Sequence, residues 1–242
     1  MKALFLKEIR SFVNSVSGYI SIIVFLLITG LFMWYFQSIT NVMDIGEATL
    51  ISLFFTAPYV FLFLIPAITM KSFSEEKKNG TIELLLTKPI TDWQIILSKY
   101  AAGIVLVIFA LIPTLVYYYS VIQLGDPIGN IDHASTWGSY IGLLLLGCSF
   151  LSIGLFASSL TNNQIIAFLF AVVMCFVVFV GFQFLADNFI APYDLFFIKL
   201  SLQEHYEGMQ KGVIDSRDVL YYLSVIALFL FMTRVSLQSR FW

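Results

Sequence analysis

Few side chains in this sequence have a type and spacing that could make or break bonds. His133 and His205 have no cluster of His, Cys, Asp or Glu at metal-ligand spacing, and Cys148 and Cys175 fall inside apolar runs. The cysteines read as small hydrophobes within helices, in preference to a disulfide or metal site. No Gly-x-x-x-x-Gly-Lys-[Ser/Thr] loop is present, so nucleotide phosphates have no cradle of the usual kind. Ser149, Ser152, Ser158 and Ser159 read as small residues at helix contacts, in preference to nucleophiles. No carboxylate pair lies within an apolar run, so an intramembrane enzyme or an ion-coupled carrier would lack its usual acids. The expectation is a chain that is no enzyme and takes no cofactor.

The charged loop from Lys71 to Lys99 stands apart. Its start, Ser74-Glu75-Glu76-Lys77-Lys78, runs into Asn79-Gly80, a pair suited to a turn or a helix C-cap. Thr81 can N-cap a short helix, with Glu83 in its first turn, where the macrodipole favours an anion. That helix carries Ile82, Leu84, Leu85 and Leu86, and Pro89 stops it. Leucines on a charged loop mark either a partner surface or a face that dips among lipid headgroups. Thr91 and Gln94 then form a capping box for the helix that leads through Lys99 into the next apolar run.

The elements around this loop follow from where the apolar residues lie. Of 242 residues, 60% are hydrophobic and 12% charged, too apolar for a fold that must present half its surface to water. Lipid is the solvent that fits. Runs at 18–36, 51–70, 101–122, 137–156, 165–185 and 219–232 each approach the roughly 20 residues that span a bilayer. The stretch from His133 to Ala186 carries no Lys, Arg, Asp or Glu, and Ser158-Ser159-Leu160-Thr161-Asn162-Asn163 divides it in two. The last run is short and is expected to gain length from the Ser216–Asp218 side, or to tilt. Pro58, Pro66 and Pro113 predict kinks whose freed backbone groups neighbours must satisfy.

Two segments outside the spans have their own character. On a helical wheel over residues 2–16, Phe5, Ile9, Phe12, Val13 and Val16 share a stripe, while Lys7, Glu8, Arg10, Ser11, Asn14 and Ser15 face away. That pattern predicts an interfacial helix over 1–17, preferred to a continuation of the first span, with a bend at Asn14, Ser15, Ser17 and Gly18. Between spans five and six, the loop 186–217 predicts short surface or re-entrant helices. One starts at Ala191-Pro192-Tyr193-Asp194, and Tyr193, Phe196, Phe197 and Tyr206 suit headgroup depth. Ten of the 13 Lys and Arg lie on the N-terminal segment, the 71–99 loop and the C-terminal tail. That bias predicts both chain ends on the cytoplasmic side. The net charge of -2 says little by itself, because sign matters here by position; no nucleic-acid partner is expected.

The segment Phe73 to Pro89 resembles the membrane subunits of type 2 ABC transporters, whose pattern is an acidic-basic stretch, Gly-Thr-x-Glu-x-Leu-Leu, a Pro, and a Lys opening span three. Here those positions are Gly80, Thr81, Glu83, Leu85, Leu86, Pro89 and Lys99. Gly212-Val213-Ile214-Asp215 and Tyr221-Tyr222-Leu223-Ser224 also match, and overall the chain is most similar to gliding-motility-associated permease subunits. The resemblance implies an all-α integral membrane fold of six spans over a single domain, 1–242, in the inner membrane. It implies a coupling helix from Ser74 to Leu86 docking on a separate cytoplasmic ATPase, with charge contacts from Glu75 and Glu76 and packing by Leu84, Leu85 and Leu86. It further implies a second permease copy or paralogue, with substrate passing between the halves. The alternative is a scaffold that transports nothing and anchors a motility or secretion complex in the lipid bilayer.

Overall fold

The computed structural model describes residues 2–36, 41–81, 90–188 and 193–239. Among these residues the chain is helical and contains no strand. Its helices are α1 (Lys2–Val13), α2 (Val16–Trp34), α3 (Val42–Ile45), α4 (Ile51–Thr69), α5 (Ser74–Lys78), α6 (Asp92–Leu111) and α7 (Leu115–Leu124). Then follow α8 (His133–Leu160), α9 (Gln164–Phe176), α10 (Phe182–Ala186), α11 (Tyr193–Ile198), α12 (Leu202–Gln210) and α13 (Ser216–Gln238). A 3₁₀ turn at Ile112–Thr114 joins α6 to α7, and a π segment at Val177–Gly181 joins α9 to α10.

Among the described residues, five helices are long and apolar enough to cross a membrane: Ile51–Lys78, Asp92–Leu124, His133–Leu160, Gln164–Ala186 and Ser216–Gln238. The α1–α2 pair, bent by 63°, makes a sixth when taken as one broken span. The bend falls where Asn14-Ser15 predicted it, and Ser15 caps α2 by accepting from the Gly18 N–H. The predicted capping box is present at Thr91 and Gln94. The last span lengthens at both ends, to 23 residues. The break between α8 and α9 falls at Thr161–Asn163, so Ser158 and Ser159 lie inside α8 and not in the divider.

The helices are not equal in the bundle. The most apolar stretch of α8 is 78% buried, and that of α9 only 22%. Thus α8 is the central post, packed by α4, α6, α9, α12 and α13, while Ile165, Leu169 and Val173 of α9 face outward, as suits lipid. Apolar surface gains little from leaving lipid for protein, so close packing carries the association. Gly154 shows how: a Cβ there would sit 2.9 Å from Thr69 Cβ, so only glycine lets the end of α4 close against α8. Phe25, Phe61, Leu143, Phe150, Phe179 and Tyr222 belong to the larger core. A second core at the lysine-rich end holds Leu4, Phe73, Ile95, Ile96, Leu155 and Leu237.

At Pro58 the freed backbone group is satisfied by a neighbouring helix, as predicted. Pro58 lacks the N–H that would bond the Phe54 carbonyl. That carbonyl instead accepts from Tyr206 Oη at 2.9 Å and Gln210 Nε2 at 3.2 Å, both on α12. Tyr206 therefore does not face outward: it is buried against α4 and α8, and burial raises its phenol's pKa, keeping it a donor. Phe196, in contrast, stands exposed. Of the predicted outer helix start, Ala191 and Pro192 lie outside the described residues.

Candidate functional site

The residues singled out from the charged loop meet at an elbow where α4 turns into α5. The α5 sequence, Ser-Glu-Glu-Lys-Lys, puts acids in its first turn and bases in its last, matching the macrodipole. Yet α5 makes no side-chain cap of its own. The cap comes from another helix: Ser158 Oγ accepts from the Phe73 N–H at 3.0 Å and the Ser74 N–H at 3.1 Å, and donates to the Met70 carbonyl at 3.1 Å. Asn79 closes α5, and Gly80 follows at φ +68°, a left-handed conformation that suits glycine.

The C-terminal end of α8 has the complementary need, because its last carbonyls lack intrahelical donors. Ser159 O accepts from Lys77 Nζ of α5 and, at 3.2 Å, from Ser236 Oγ of α13. The elbow and the central post thus satisfy each other's helix ends.

On the other side, ion pairs bind the elbow to α1 and α6. Lys99 Nζ lies 2.9 Å from Glu8 Oε1 and 3.1 Å from Glu76 Oε1, donates to Ser72 O at 2.8 Å, and stands 5.1 Å over the Phe73 ring. Lys7 Nζ adds a contact to Glu76 Oε1 at 3.2 Å. The Lys99 side chain is 2% exposed, so its charge is tolerable only because carboxylates and a carbonyl surround it. A cavity of about 440 Å³ opens beside the cluster, with Lys7, Glu75 and Thr81 among its walls and Leu106 and Leu151 on its apolar side. The chain's other end arrives here too: Gln238 Nε2 donates to Asp92 Oδ2 at 2.9 Å, and the Arg234 guanidinium stands 5.4 Å from the Trp93 ring centroid.

The predicted site residues separate into two groups. Glu75, Gly80 and Thr81 are exposed, and Thr81 Oγ1 donates back to Glu76 O at 3.3 Å. Glu76 turns inward, with Oε1 on Lys99 and Lys7 and Oε2 buried without a partner. Glu83, Leu84, Leu85, Leu86 and Pro89 lie outside the described residues. Glu8, placed by the helical wheel on the outward face of α1, faces the bundle because Lys99 waits there. Val13 and Val16, placed on the apolar stripe, are exposed.

Ser158, Ser159 and Glu8 were not foreseen in these roles. Two hydroxyls near the end of an uncharged span were the available signal for the serines. The remaining reactive side chains serve structure. Tyr118 Oη lies 2.6 Å from His133 Nδ1. His205 Nδ1 lies 2.7 Å from Asp218 Oδ1, and its ring stacks on Tyr221 at 4.1 Å. Cys148 and Cys175 are free and buried. Among the described residues, no group of three or more His, Cys, Asp or Glu converges as a metal site would require.

Comparison with known proteins agrees with this picture. No curated protein matches the chain. One family profile, that of the ABC-2 family transporter protein, matches residues 3–237, nearly the whole length. A multi-pass helical membrane protein with this match belongs to the ABC-2 transporter family.

Proposed function

We propose that the chain is the permease subunit of an ABC transporter, moving substrate across the inner membrane with ATP hydrolysed by a separate cytoplasmic subunit. The observation that carries this reading is the elbow. One side of it is fastened to α1, α6 and α8 by ion pairs and trans-helix caps. Its other side presents Glu75, Lys78, Gly80 and Thr81 outward. A loop firmly held on one side and open on the other suits a part that is pushed. The segment Ser74 to Leu86 is the coupling element in this reading, with Glu83, Leu84, Leu85, Leu86 and Pro89 completing the face that meets the ATPase.

Orientation follows the same logic. The elbow gathers α1, the start of α6 and the end of α13 at one end of the bundle. Eight of the 13 Lys and Arg belong to these segments, which supports placing that end, and both chain ends, in the cytoplasm. A second copy or a paralogue completes the transporter. The narrower assignment, to a gliding-motility transporter, rests on overall sequence similarity; loss of gliding in a deletion strain, restored by this gene, tests it.

Docking is tested with Glu83→Gln and Leu85→Ser combined, followed by pull-down of the ATP-binding subunit in detergent. Loss of association with a correctly inserted permease is expected. Undiminished association would overturn the docking assignment.

A further inference from the structure

We propose that Ser158 is the positioning residue that hands movement of the elbow α5 to the central helix α8. This rests on the reading of α5 as the part pushed by an ATPase. Besides the backbone of α4, a push on α5 can leave sideways by two routes. Through Lys99 it reaches α1 and α6, and through Ser158, with Lys77 beside it, it reaches α8. The first route has slack, because a lysine side chain has four rotatable bonds and ion pairs are weakly directional. The second has almost none.

Ser158 Oγ hangs on a single rotatable bond. It holds three backbone groups of the elbow at once: Phe73 N–H at 3.0 Å, Ser74 N–H at 3.1 Å and Met70 O at 3.1 Å. N–H···O bonds are useful only to about 3.2 Å, so a shift of a few tenths of an ångström between the helices strains this joint. The two amides are the unpaired N–H groups at the start of α5. Ser158 is therefore an N-cap supplied in trans, from 84 residues away, at a site that is wholly buried. Gly154, one turn earlier on α8, lets Thr69 close in and brings the hydroxyl within reach. Lys77 and Ser236, both on Ser159 O, add α13 to the same joint. Because α8 touches α4, α6, α9, α12 and α13, whatever moves its end moves the bundle.

The test is hydrogen exchange on the complex of the full chain with its ATP-binding subunit, with and without a non-hydrolysable ATP analogue. In wild type, nucleotide should change exchange in both α5 and the last two turns of α8. In Ser158→Ala, the change in α5 should persist while that in α8 falls below about one third of wild type. Ser158→Thr, which keeps the hydroxyl, should restore it. A residue that only stabilised the fold would raise exchange equally with and without nucleotide. Should Ser158→Ala not yield a folded complex, Ser158→Cys replaces it and should give an intermediate loss. An α8 response that survives Ser158→Ala or Ser158→Cys, or that is absent from wild type, overturns the proposal. If the ATP-binding subunit does not associate with wild type at all, the permease reading fails first.

Discussion

The two ends of the bundle solve one problem, unpaired backbone groups, with different chemistry. At the elbow, orphaned helix ends meet hydroxyls and charges from distant parts of the chain: Ser158 on the amides of α5, Lys77 on the carbonyl of Ser159, Lys99 between Glu8 and Glu76. At the opposite end, the carbonyl freed by Pro58 meets a phenol and an amide from α12. There Met209 lies so close to α8 that a Cβ on Gly138 would come within 2.6 Å of its carbonyl. One end is built from few, strong and mutually dependent contacts, the other from close packing with a redundant neutral pair. Damage should therefore be more costly at the elbow.

The largest effect is expected at Lys99. Lys99→Ala leaves Glu8 and Glu76 facing each other with only the exposed Lys7 beside them, at a cost of about 3–5 kcal/mol. Thermal unfolding in detergent should show it, and adding Glu8→Gln and Glu76→Gln should recover part of the loss. If Lys99→Ala is neutral, the cluster is not the keystone of this end. Next is Gly154→Ala, whose added methyl must displace Thr69; overpacking of this kind costs about 1–3 kcal/mol. Greater proteolysis at the α4–α5 turn is its expected mark.

At the opposite end, Tyr206→Phe should cost only about 1 kcal/mol, because Gln210 still serves the Phe54 carbonyl. Combining it with Gln210→Ala should cost more than the two singles summed, a coupling a double-mutant cycle reads directly. Simple additivity would remove the redundancy on which the contrast rests. The smallest effect is expected for Lys7→Gln: this side chain is 59% exposed, and pairs of that kind are worth under about 0.5–1 kcal/mol and fade with salt.

Much of this architecture was legible in the sequence because lipid enforces long apolar runs and capping rules are local. The bend at Asn14-Ser15, the Thr91–Gln94 box and the Asn79-Gly80 stop each depend on residues a few positions apart. What escaped depends on partners far along the chain. Glu8 was placed outward because a helical wheel sends every charge to solvent, and it cannot register a lysine 91 residues away. Ser158 and Ser159 read from the sequence both as part of the divider and as small residues at helix contacts, and a polar pair beside Thr161-Asn162-Asn163 does not show which. Only the crossing of α4 on α8 reveals that the helix continues to Leu160 and that its hydroxyl has work there. Residue type alone suits Tyr206 to headgroups; only the fold brings it within reach of the carbonyl that Pro58 leaves free.

The pair of donors on the Phe54 carbonyl has one more implication. Tyr206 and Gln210 sit one turn apart on α12, and a carbonyl oxygen has two lone pairs. Each donor can stand in for the other, so loss of either leaves the acceptor paired in its apolar setting. The bend that Pro58 imposes on the hydrogen-bond ladder of α4 thus carries its own spare.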